Sequence, residues 1–196
     1  MNNASENPKR KTLIDLTLSA MFLAIGLLLP FLTGQIKQIG NMLLPMHIPV
    51  LLCGLVCGWK YGLCVGLILP PLRYMLFGMP VIFPTGIAMA FELAAYGAVA
   101  GLFYYRSRRR CIASLYFSMA AAMLSGRLVW GIAEIFLLGF GENGFTWNMF
   151  FAGAFLNAFP GIILQLVLIP IIMIALNRTG LVRFSQDNSS DKNDED

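Results

Sequence analysis

The chain has 196 residues, 58% hydrophobic and only 12% charged, with a formal net charge of +4. Its mean hydropathy of +0.72 corresponds to more apolar surface than a soluble domain of this size can bury, and its helices lack the polar stripe of a soluble bundle. A soluble enzyme is thereby excluded. The basic residues stand at the ends of apolar runs, where they set membrane orientation, so the charge does not indicate nucleic-acid binding.

The apolar material comes in runs near the 20 residues that cross a hydrocarbon core. The pattern predicts an all-α membrane protein, a bundle of six transmembrane helices. A polar segment, 1–11, opens the chain and lacks a small-residue cleavage site after a short apolar core, so the first run is expected to be a retained helix rather than a signal peptide. The predicted spans are 13–34, 44–59, 61–78, 84–105, 112–140 and 149–177. Span 2 opens on Pro45-Met46-His47-Ile48-Pro49 and is expected to be partly unwound there. Spans 2 and 3 are short and joined by Trp59-Lys60-Tyr61. Pro70-Pro71 should kink span 3, and Pro160 and Pro170 span 6. The membrane domain is taken as 12–178, followed by an acidic tail, 179–196, that is too polar to fold.

Positive charge sets the topology. Lys9, Arg10 and Lys11 precede span 1, Lys60 joins spans 2 and 3, Arg106 and Arg108 to Arg110 follow span 4, and Arg178 and Arg183 follow span 6. The remaining loops hold only Lys37. Both termini are therefore expected in the cytoplasm, with loops 34–43, 78–83 and 141–148 outside.

Four ionisable side chains, Arg73, Glu92, Arg127 and Glu134, fall inside these spans. Charges at that depth cost a few kcal/mol each and persist when they pair, face the bundle interior or line a solute path. At a rise of about 1.5 Å per residue, Arg73, Glu92 and Glu134 lie roughly 7–9 Å below the outer surface, Asn157 about 10 Å and Arg127 about 18 Å, with Gln165 deeper. Arg127, Trp130 and Glu134 share one face of span 5, and Glu92 and Tyr96 share one face of span 4. An aromatic flanked by charges suits a planar heterocycle. The competing reading is that Arg73 and Arg127 pair with Glu92 and Glu134 only to hold helices together. His47, the single histidine, and Asn41 and Gln38 of the first outer loop are further candidates for solute contact; for His47, capping or packing is the alternative.

Other chemistries lack their residues. There is no G-x-x-x-x-G-K-[ST] loop, no H-E-x-x-H and no G-x-S-x-G. The four cysteines form no C-x-x-C pair and read as packing residues, with no metal site. Gly54, Gly58, Gly62 and Gly66 recur every fourth residue and predict close helix contacts.

Ala20-Met-Phe-Leu-Ala24 in span 1 lets another helix approach closely. Six short spans, both ends inside, this Ala pair in the first span, the segment Leu44 to Gly54 followed by Gly58-Trp-Lys-Tyr-Gly62, and no ATPase of its own together resemble the substrate-binding S component of energy-coupling factor (ECF) vitamin transporters over about residues 12–178. The resemblance implies a non-catalytic, multi-pass subunit of a bacterial plasma membrane. It would capture a vitamin or related solute from outside under a lid of outer loops. It would then dock through Ala20 and Ala24 on a transmembrane coupling protein driven by two cytoplasmic ATPases, toppling so that its site faces inward. No cofactor is implied in this chain; ATP is used by the partners. Arg127 or Arg73 suits a carboxylate, and Glu92 or Glu134 with Trp130 suits a basic heterocycle. A solitary secondary transporter, or a membrane-embedded enzyme using Glu92 and Glu134, stands as the alternative; no inverted repeat supports the former.

Overall fold

The computed structural model describes residues 8–32, 44–107, 111–139 and 158–178. Among these, the chain forms six α-helices: α1 (Pro8–Leu32), α2 (His47–Cys57), α3 (Trp59–Phe77), α4 (Ile87–Arg106), α5 (Ile112–Leu138) and α6 (Phe159–Arg178), with a π-helical turn, Ile82–Gly86, leading into α4. α1, the π-turn with α4, α5 and α6 are each long and apolar enough to cross a membrane.

The helix ends follow from local chemistry. α1 begins at Pro8, five residues before the predicted span, because proline's fixed φ and missing N–H suit a first helical position. α2 begins sharply at His47, whose N–H donates to the Leu44 carbonyl at 3.0 Å. Pro49 falls in its first turn, where no intrahelical donor is needed, so the expected unwinding is confined to Leu44–Met46. At Gly58 the backbone turns to φ 102°, which separates α2 from α3. Gly78 (φ 70°) and Gly139 (φ 76°) close α3 and α5 and donate to the carbonyls of Tyr74 and Ile135. Two cis X-Pro bonds, Met79–Pro80 and Phe83–Pro84, shape the connection to α4. Pro70-Pro71 and Pro170 lie inside α3 and α6, as expected. Pro160 instead occupies the first turn of α6, where it breaks no hydrogen bond.

α4 is the hub and packs on α2, α3 and α5. Over its apolar window 56% is buried, against 17% for α1, so α1 lies on the outside of the bundle. Glycine permits the central approach. A Cβ on Gly62 would stand 2.7 Å from both the Gly54 Cα and the Gly97 carbonyl oxygen, and one on Gly101 2.7 Å from the Trp59 Cα. Gly54 and Gly66 likewise abut the α4 backbone, at Gly97 and Leu93. Three of the four periodic glycines thus serve close contact, while Gly58 serves the turn.

These contacts also set the register. Gly62 meets Gly97, and one turn on Gly66 meets Leu93, so α3 and α4 run antiparallel. Gly126 on α5 meets the Tyr96 ring of α4. α2 has 11 residues, which span about 16 Å, roughly half of a 30 Å hydrocarbon core. Its first residue is therefore delivered into the body of the bundle, and Leu44 through Val50 are all buried.

Candidate functional site

The buried polar groups meet where the start of α2 reaches α4 and α5. Glu92 is 2% exposed and His47 1%. Glu92 Oε1 lies 3.4 Å from His47 Nε2 and 2.9 Å from Arg127 Nη1. One carboxylate oxygen thus stands between an imidazole from α2 and a guanidinium from α5. Tyr96, one turn along from Glu92, sets its ring edge-on to the His47 ring, with centroids 4.9 Å apart at 83°. The neighbour of Arg127 makes this possible: a Cβ at Gly126 would collide with the Tyr96 ring carbons. Placing an ion pair in this interior requires partners of good geometry, because desolvation of each charge costs several kcal/mol.

The donors of the cluster are only partly used. Both Glu92 contacts are within ion-pair distance, yet neither Glu92 Oε1 nor His47 Nε2 has a hydrogen-bond partner among the described residues. Arg127 Nε and Nη2 and His47 Nδ1 have no hydrogen-bond partner among the described residues. The same is true of both amide atoms of Gln165, which is wholly buried on the Gly161–Gln165–Ile169–Met173 face of α6. Buried polar atoms without partners are rare in folded proteins, and each calls for a ligand, a water or an ion.

The other predicted residues are placed differently. Arg73 is buried, but it forms no ion pair among the described residues and its Nε is unpartnered. The α3–α4 register explains this: seven residues beyond Gly66, Arg73 lies about 10 Å along α3, near the π-turn rather than beside Glu92. Glu134 is buried two turns beyond Arg127 on the same face and is also without an ion pair among the described residues. Of the two Arg–Glu pairs in the competing reading, the described residues form one, Arg127–Glu92. Trp130, half-buried, lies between Arg127 and Glu134 along α5. Asn41, Gln38 and Asn157 lie outside the described residues. Ala20 and Ala24 are exposed on α1, away from the cluster.

Sequence reasoning missed the partnership of His47 with Glu92 and Tyr96, and it missed Gly126. The only signal for Gly126 was its place before Arg127. An apolar groove of about 290 Å³ between α1, α2 and α6, lined by residues such as Phe22, Leu52 and Ile172, carries no polar side chain to orient a solute. Cys53 Sγ lies 3.6 Å from Ser19 Oγ in a buried packing contact. No group of three His, Cys, Asp or Glu suited to a metal occurs among the described residues.

The family model for the ECF transporter substrate-specific component matches residues 15–173, which takes in all of this cluster. The chain belongs to that family. It is thus a substrate-specific membrane subunit of a transporter. No curated protein and no solved structure matches the chain.

Proposed function

We propose that this S component captures a vitamin or related heterocyclic or carboxylate solute from outside at the His47–Glu92–Arg127 cluster and releases it inward after docking on an ATP-driven coupling module. The observation that carries this reading is the cluster itself: three polar side chains from three helices, each at most 7% exposed, converge with donor capacity left over. A purely structural ion pair would be expected to fill its donors. Tyr96 and Trp130 supply aromatic surface beside it. Asn41, Asn157, Arg73 and Glu134 are assigned to the same solute path from their sequence depth.

Docking falls to α1. Ala20 and Ala24 lie on an exposed stripe with Leu13, Leu16 and Leu28, a small-residue seam against which another membrane helix can pack closely. The chain has no phosphate-binding loop, so in this reading the partner ATPases supply the energy. The charge distribution supports six spans with both termini in the cytoplasm. Reconstitution tests the proposal: solute should accumulate in vesicles only when the chain, the coupling protein, its ATPases and ATP are all present. Accumulation by the chain alone would favour a solitary transporter.

A further inference from the structure

The geometry points to Arg127 as a two-pronged clamp for an anionic group, so we infer that the solute carries a carboxylate or an equivalent oxyanion. The inference rests on the solute-capture reading above and narrows its substrate class.

The guanidinium has three nitrogens in one plane. Nη1 is committed to Glu92 Oε1 at 2.9 Å. Nε and Nη2 are buried and have no hydrogen-bond partner among the described residues. An N–H of each of these two atoms points the same way along one edge of the plane, at the spacing of two carboxylate oxygens. Arg127 is therefore anchored to Glu92 through Nη1 and, among the described residues, its Nε–Nη2 edge has no hydrogen-bond partner and can serve as a fork. Its side chain is only 8% exposed, so bulk water does not compete freely for the edge.

Two neighbouring features favour the same sign of charge. α2 begins at His47 among residues that are all buried, and its dipole gives that end a partial positive charge, although the His47 N–H is taken by the Leu44 carbonyl and Pro49 has none to offer. His47 Nδ1 is a further unpartnered polar atom at the same point. Glu92 already neutralises Arg127, so beside the guanidinium a cationic solute would meet only a carboxylate that is already paired, whereas an anion finds the fork; Glu134, which has no ion pair among the described residues, stands two turns further along α5. Arg73 lies about 10 Å further along α3 from the Gly66–Leu93 contact, near the π-turn, and so does not add to this grip.

The test uses the full chain purified in detergent. Its extract is analysed by mass spectrometry, and its thermal unfolding is titrated with matched probes: nicotinate against nicotinamide, biotin against biotinamide, pantothenate against panthenol, with thiamin and pyridoxine as cationic and neutral references. The expected result is an acidic solute in the extract, and at least about tenfold tighter binding of an acid than of its uncharged partner. Arg127→Lys, which keeps the charge but loses the fork, should weaken the acid by about tenfold at unchanged elution volume. A neutral or cationic solute, or an acid and its uncharged partner binding equally, overturns the clamp while leaving solute capture intact. An empty extract with no response to any probe overturns both.

Discussion

Arg127 and Glu92 depend on each other. Truncating one partner of a buried pair leaves the other charge uncompensated, at a cost of about 3–5 kcal/mol. Arg127→Ala should therefore abolish solute binding and also lower stability, whereas Arg127→Ala combined with Glu92→Gln should recover part of the stability but none of the binding. Thermal unfolding and solute titration of the four chains of this cycle read the two effects separately; equal loss of binding and stability in every variant would reduce the pair to a helix tie. Gly126→Ala should also weaken binding, because its Cβ meets the Tyr96 ring that packs on His47. Helical spacing made part of this legible, since Arg127, Trp130 and Glu134 do share a face. Which arginine meets Glu92 was not legible, because it depends on the register between helices that glycine contacts set at a distance. His47 looked isolated in sequence for the same reason: its partner lies 45 positions away.

At the scale of the elements, the Gly54–Gly62–Gly97 contact joins α2, α3 and α4 backbone to backbone. Gly62→Ala should force them apart and destabilise the fold by about 1–3 kcal/mol, while Ala120→Val on the exposed face of α5 should leave the midpoint of thermal unfolding unchanged. Equal midpoints for both would show that the helices do not need this approach. The four-residue glycine period announced the contact, but not that Gly58 would serve a turn at φ 102° instead. Helix existence was legible throughout the described residues because the apolar runs are long and punctuated by Gly and Pro. The shortness of α2 was less so: the apolar residues Leu44 and Met46 extend its pattern, yet they fall in the turn before it. That shortness carries His47 and a helix N-terminus into the bundle, where the proposed function uses them.

At the scale of the whole molecule, the candidate site and the Ala20–Ala24 stripe proposed for docking are spatially separate. The cluster is enclosed by α2, α4 and α5, whereas Ala20 and Ala24 face outward on a helix whose apolar window is only 17% buried. Ala24→Trp should therefore stop uptake in cells that hold the complete transporter while solute affinity of the purified chain stays within about twofold of wild type, because no buried contact is disturbed. Loss of affinity in that variant would move the docking surface elsewhere. The membrane class was legible from composition alone; the identity of the solute was not, because in the proposed reading it depends on the hydrogen-bond donors that one buried cluster leaves open among the described residues. The most direct measurement of the central claim is quantitative mass spectrometry of small molecules released from the purified full-length chain and from Arg127→Ala. The account predicts one solute, near one molecule per chain, in the first and none in the second; equal amounts in both, or none in either, would contradict it.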